Sequence, residues 1–169
     1  YLPYYVLQLL KEQDLKPNQL TLEVTENSVM QQLGRAMTVL ECLRDVGVRI
    51  SMDDFGTGQS SLAQLRNIPL HELKIDKSFV MALPDSAQDE AIVRTTLELA
   101  HSLGLEVVAE GVENEETLCF LSGSGCEQAQ GFFLSKPIPP RKFLAWLRAF
   151  EPVSCPDRRG ELRPFRRDA

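Results

Sequence analysis

The sequence predicts an α/β fold built on a parallel sheet, and three observations carry that prediction. Stretches with helical apolar spacing alternate about five times with short strand-like runs. Glycine, proline and asparagine mark the changes of period, yet no two-residue hairpin signal joins one strand to the next. Each expected strand also begins apolar and gains a charged or amide residue at its C-terminal end.

Taken in order, Tyr4 to Leu15 carries Val6, Leu9 and Leu10 at helical spacing and stops at Lys16-Pro17-Asn18. Leu20 to Glu26 alternates Leu, Leu and Val against Thr, Glu and Thr, which is a strand. A helix is expected from Ser28 to Val46, ended by Gly47. Val48 to Phe55 is a second strand that runs into a glycine-bearing loop, followed by a short helix over Leu62 to Leu65. Glu72 to Val80 is expected as a third strand. Ala91 to Leu103 forms a helix closed by Gly104, and Leu105 to Val112 a fourth strand. Asn114 caps a helix through Phe120, helped by Glu116 in its first turn. Glu127 to Pro137 is expected as a fifth strand, and Pro139-Pro140 opens a last helix through Phe150.

Composition excludes several classes. At 43% hydrophobic and 25% charged over 169 residues, the chain matches a folded globular domain with a real core. Its net charge of −6 is the wrong sign for a scaffold of polymeric nucleic acid. No run approaches the length of a membrane span, and no signal peptide opens the chain. Because the first residue is Tyr1, the sequence reads as a piece of something longer. Cys42, Cys119, Cys126 and Cys155 are scattered, and His71 and His101 stand apart from them, so reduced thiols in a cytoplasm are expected rather than zinc ligands or a disulfide frame. From Ser154 onward five arginines face three acidic residues. Residues 154–169 are therefore expected to be a basic, disordered tail, with residues 1–153 as the folded portion.

The polar strand ends carry the chemistry. They are Glu23 and Glu26, Asp53 and Asp54, Lys74 and Asp76, Glu110 and Glu113, and Gln130. One charged strand end is ordinarily a helix cap; five in succession match a (β/α)8 barrel, which builds its site from the C-terminal ends of several strands. Gly56-Thr57-Gly58 lacks the third glycine of a dinucleotide-binding loop, which leaves the doubly wound alternative without its marker. Converging carboxylates need cations between them, and carboxylates with one amide select Mg²⁺ or Mn²⁺. Two such ions support displacement at phosphorus, with a lysine to orient water or stabilise phosphoryl charge. Metal-assisted phosphodiester hydrolysis is the generic reading.

The stretches LTLEVTEN, VRISMDDFGTGQSSL, LKIDKSFV, VVAEGVENEE and AQGFFLSKP, in that order from Leu20 to about Pro140, resemble the successive motifs of the EAL family of cyclic di-GMP phosphodiesterases. The resemblance implies a modified (β/α)8 barrel and metal-dependent opening of cyclic di-GMP to linear pGpG. It implies that Glu23 ligates the first of two metals, Asp53 bridges both, and Asp54 and Glu110 hold the second. Lys74 would contact the attacking water, Gln130 would support the same hydration network, and Glu26 would brace the DDFGTG loop. Glu113 would reach a guanine edge. For Glu26 and Glu113 the alternative is a charge at a helix N-terminus that favours the dipole and plays no part in catalysis. A homodimer, upstream sensor or diguanylate cyclase domains, and a place in the cytoplasm or on the cytoplasmic face of the inner membrane are further implications.

The departures from the family pattern are specific. Gln59 stands where an aromatic residue is usual, and Phe132 and Lys136 replace a more usual tyrosine and arginine. The Glu-Ala-Leu motif of the first barrel strand and the asparagine motif after it are not in the chain. A full barrel takes about 250 residues, so this chain is expected to supply about five βα units of one and to be inactive alone. Three functions compete: a phosphodiesterase, a receptor that binds cyclic di-GMP without hydrolysis, and a regulatory segment whose acids are mere surface. Retention of EVTE, DDFG and Lys74 favours the first.

Overall fold

Strand-like alternation around Leu22 and Val24 becomes β1, Thr21–Thr25, and the run Ile50-Ser51-Met52 becomes the fully buried centre of β2, Arg49–Phe55. These belong to a computed structural model that describes residues 1–56, 62–156 and 162–164. Helix α1 is Leu2–Glu12, α2 is Glu26–Gln31, α3 is Leu33–Asp45 and α4 is Leu62–Leu65. Strand β3 is Glu72–Ile75, α5 is Lys77–Val80, α6 is Ala87–Ser102 and β4 is Glu106–Glu110. Then follow α7, Glu115–Ser124; β5, Gln128–Gln130; and α8, Pro140–Ala149. Strands β1 to β5 form one sheet in sequence order, and β1/β2 and β4/β5 pair in parallel. The α/β class and the parallel sheet expected from the sequence are present.

The described chain divides into two compact units, Tyr1–Lys74 with Ser102–Leu105, and Ile75–His101 with the residues from Glu106 onward. In the first, Leu40, Leu43, Val48, Ile50, Met52 and Leu73 are buried. In the second, the core is Val93, Leu97, Val107, Ala109, Leu118 and Leu121. Strands buried on both faces explain why β3 and the centre of β2 show no clean alternation.

Local chemistry sets the ends of the elements. Gly47, at φ +94°, closes α3: its amide donates to the Arg44 carbonyl, and the Val48 amide donates to the Leu43 carbonyl. That paired pattern is a Schellman cap, which requires a left-handed residue at the glycine. Asn114 Oδ1 accepts the Thr117 amide at 2.8 Å and starts α7 as expected.

Four expectations need correction. The helix expected over Ser28 to Val46 is two helices, because Gln32 leaves helical geometry (φ −137°, ψ 49°) and its carbonyl starts α3 by accepting the Arg35 and Ala36 amides. The third strand stops at Ile75, because Asp76 Oδ1 accepts the Ser78 amide at 2.9 Å and turns the apolar run Phe79-Val80 into a helix. The fifth strand stops at Gln130, because a Cβ at Gly131 would overlap the Val112 backbone, and the chain turns there with Leu134 and Ser135 amides on the Gly131 carbonyl. Cys119 of α7 and Cys155 are joined as a disulfide, their Cα atoms 4.9 Å apart, where four separate thiols were expected.

Within the expected tail, Ser154–Pro156 (β6) pairs antiparallel with Leu162–Pro164 (β7). Gln59 and the rest of 57–61 lie outside the described residues, as do 157–161 and 165–169. Among the described residues no helix is long and apolar enough to cross a membrane.

Two measurable consequences follow from these contacts. Hydrogen bonding from Ser78, chiefly from its side chain, holds the Asp76 carboxyl below its ordinary range. A carboxyl depressed in the folded state stabilises it above the unfolded value of about 3.9 and loses that contribution as pH falls through the folded value. Asp76→Ala is therefore expected to cost about 1 kcal/mol at neutral pH, with the difference disappearing only in strong acid, as read by urea denaturation. Burial pushes the Cys126 thiol up to about 12, with Glu127 adding to the rise. Iodoacetamide at pH 8 is expected to modify the partly exposed Cys42 and to leave Cys126 unmodified until denaturant is added.

Candidate active site

Glu23 sits in the middle of β1, opposite Ser51 of β2, and Thr25 sits opposite Asp53. Residues two apart on a strand share a face, so Glu23, Thr25, Ser51 and Asp53 line one side of this strand pair. Lys74 of β3 reaches the same place. Its Nζ lies 3.0 Å from Glu23 Oε1 and 3.2 Å from Asp53 Oδ1. The lysine is only 4% exposed. A buried ammonium requires paired anions, and the two carboxylates supply them.

The end of β2 is shaped by its two aspartates. Asp54 has φ +55°, a left-handed conformation that aspartate adopts more readily than most residues. Its amide donates to Asp53 Oδ1 at 3.1 Å, so the oxygen that meets Lys74 is also fixed by the neighbouring backbone. Strained backbone of this kind is held in place by surrounding contacts. One of them comes from Glu26, which opens α2 with only 2% exposure and accepts the Gly56 amide on Oε2 at 3.2 Å. Thr25 caps the same helix by accepting the Ser28 amide. Glu26 is thus both the first-turn acid of a helix and the anchor of the chain leaving Asp53-Asp54.

The second unit brings together Glu110 and Gln130, register partners at the C-terminal ends of β4 and β5. They line a cavity of about 340 Å³ with Lys77, Glu113 and Phe132. Glu113 is exposed and precedes the cap of α7, whose first-turn acids are Glu115 and Glu116. A neighbouring cavity of about 330 Å³ shares Gln130 and Phe132 and adds Lys136, Phe143 and Trp146. Trp146 lies between Phe143 and Phe150, with ring centroids at 5.8 and 5.1 Å. No motif marks this aromatic lining in the sequence; its signal is Phe143 and Trp146, three residues apart on the last helix.

Both histidines are occupied elsewhere. His71 Nδ1 accepts the Ile50 amide at 3.1 Å, and His101 Nε2 pairs with Glu127 Oε1 at 2.8 Å. Among the described residues no three histidine, cysteine or acidic side chains gather into a metal cage. Glu23 and Asp53 do gather two carboxylate oxygens around one cation, the Lys74 ammonium, and hard oxygen donors of this kind suit Mg²⁺ or Mn²⁺.

The chain as a whole is similar in sequence and in fold to known proteins. The EAL domain family matches residues 3–137. The chain belongs to the EAL domain family. It is 45% identical over 137 residues to the cyclic di-GMP phosphodiesterase NbdA of Pseudomonas aeruginosa, which covers 81% of this chain and 18% of NbdA. Among solved structures it is similar to the PaMucR phosphodiesterase in its c-di-GMP complex, with a TM-score of 0.78 and 43% identity over 82% of this chain and 56% of that one. It is also similar to a manganese and cyclic di-GMP complex of Klebsiella pneumoniae BlrP1, with a TM-score of 0.74 and 35% identity over 79% of this chain and 34% of that one. The chain thus spans about a fifth of the length of its curated relatives and little over half of the MucR chain.

Glu26→Ala removes the acceptor of the Gly56 amide and a buried side chain. It is expected to cost about 1–3 kcal/mol and to raise the proteolysis rate at the end of β2, as followed by limited proteolysis with mass spectrometry. Glu26→Gln, which keeps an acceptor oxygen, is expected to lose less.

Proposed function

We propose that this chain supplies most of the site of a metal-dependent phosphodiesterase that hydrolyses cyclic di-GMP to linear pGpG. The observation that carries this reading is the Lys74 ammonium held between Glu23 and Asp53 on adjacent strands of an EAL-family sheet. The names of NbdA and of the MucR and BlrP1 complexes support the substrate class.

In this reading Glu23 and Asp53 would hold one Mg²⁺ or Mn²⁺ ion, and Asp53, Asp54 and Glu110 would serve a second. When bound, such ions lower the pKa of water and neutralise phosphoryl charge. Lys74 orients the attacking water and places positive charge beside the phosphoryl oxygens. Gln130, an amide with both donor and acceptor, orders the surrounding water. The water oxygen attacks one phosphorus, its P–O3′ bond breaks, and the leaving 3′ oxygen takes a proton, which gives the linear dinucleotide. Glu26 holds the chain after Asp54 in place, and Glu113 faces a guanine edge. The aromatic cavity beside Gln130 is of a size to admit a purine.

Further parts of the proposal are a homodimer, sensor or diguanylate cyclase domains in the same protein, and a cytoplasmic location. MucR, named as a bifunctional diguanylate cyclase and phosphodiesterase, supports the combination of domains. A receptor without turnover is the competing function. Every ligand position that the motifs place in this chain keeps its acidic residue, which argues for hydrolysis.

The test is cyclic di-GMP turnover by the protein carrying these residues, with any sequence that precedes them, in Mg²⁺ or Mn²⁺. Formation of pGpG is expected, with a loss of at least about 10²-fold in Asp53→Asn, the scale of removing one preorganised electrostatic element. Chelation is expected to abolish turnover and readdition of metal to restore it. Binding without turnover would move the assignment to a receptor, and absence of both would overturn the ligand.

A further inference from the structure

Lys74 occupies the place where a cation belongs. It puts one positive charge 3.0 Å from Glu23 and 3.2 Å from Asp53, and those carboxylates are the two that the proposed function gives to the metals. A divalent ion ligated by both must compete with an ammonium that is already there and buried. The carboxylates are the more open partners, their side chains 52% and 23% exposed against 5% for the lysine, so an ion arriving from solvent meets them first.

The same face holds an unexplained group. Ser51 is fully buried, and its Oγ has no hydrogen-bond partner among the described residues. Buried hydroxyls are nearly always paired, so an unpaired one calls for a physical reason. Ser51 lies directly opposite Glu23 in the β1/β2 ladder and two residues before Asp53 on the same face. It therefore stands among the groups that Lys74 bridges, and its oxygen can accept from an ammonium.

We propose that Lys74 is a resident countercation that holds Glu23 and Asp53 together until metal enters, and that Ser51 Oγ receives a hydrogen bond from the ammonium as the metal takes over these carboxylates. The inference rests on the assignment of Glu23 and Asp53 as metal ligands made above. Without metal, the lysine keeps two carboxylates from repelling each other. With metal, it gains a polar partner on the same face, which leaves it beside the reacting water. Metal affinity is thereby tempered by the residue that serves the chemistry.

The test is Mn²⁺ binding, read by electron paramagnetic resonance of free Mn²⁺, in the protein used for turnover and without substrate. Lys74→Met, which keeps the aliphatic stem and removes the charge, is expected to bind the first ion at least tenfold more tightly than wild type. Lys74→Arg, which keeps the charge, is expected to stay near the wild-type affinity and guards against a folding artefact in the methionine variant. Ser51→Ala is expected to weaken Mn²⁺ binding about threefold with Lys74 present and to have no effect in the Lys74→Met background. Unchanged or weaker binding in Lys74→Met, with wild type binding normally, would overturn the countercation and leave the metal site standing. An equal effect of Ser51→Ala in both backgrounds would overturn the role of Ser51. No Mn²⁺ binding in any form would overturn the metal ligands themselves, and this inference with them.

Discussion

A lysine with 4% of its surface exposed can keep its charge only if anions come in with it, and in this chain they come from two neighbouring strands. Glu23 and Asp53 are 30 positions apart in sequence, and the parallel pairing of β1 with β2 sets them on one face beside Lys74. Removing the lysine would leave two carboxylates facing each other. Removing either carboxylate would leave a buried charge short of a partner, a loss that typically costs several kcal/mol. The ion pair is therefore a structural element, and the proposed function gives the same three residues a chemical role. Its geometry depends on strand register, because a slip of one residue would turn Glu23 to the opposite face.

The chain invests local conformation in keeping this cluster fixed. Asp54 takes a left-handed conformation, its amide binds Asp53 Oδ1, and Gly56 binds the buried Glu26. These contacts tie the exit of β2 to the first turn of α2. They define where two adjacent aspartates point, which short-range sequence cannot do. In the second unit, the close approach of Gly131 to Val112 ends β5 immediately after Gln130, and this places the amide at a strand end next to Glu110. Glycine at that position is a steric requirement, since any side chain would meet backbone.

Much of this was legible in the sequence, and the misses have identifiable causes. Alternation of periods gave the α/β class, and charged strand ends located the residues that the structure gathers at Lys74 and at Glu110. Gly47 and Asn114 were readable as caps because their chemistry is local. Phe79-Val80 and Phe132-Phe133-Leu134 are apolar enough for a strand, so the sequence pattern extends the third and fifth strands past their ends in the fold. Asp76 capping α5 and the backbone approach at Gly131 override that propensity. The link between Cys119 and Cys155 depends on α7 and β6 coming side by side, which residue spacing does not encode. Ser51 carries no signal in the sequence, because a serine inside an apolar strand is distinguished only by its burial and its unpaired hydroxyl in the fold.

A crystal structure of the protein soaked with Mn²⁺, with anomalous scattering to locate the ion, reads the Glu23–Lys74–Asp53 cluster directly. Anomalous density is expected between Glu23 and Asp53 oxygens, with the Lys74 ammonium withdrawn from at least one of them. Density at other residues, or an ion-free site with Lys74 still on both carboxylates at saturating Mn²⁺, would contradict this expectation.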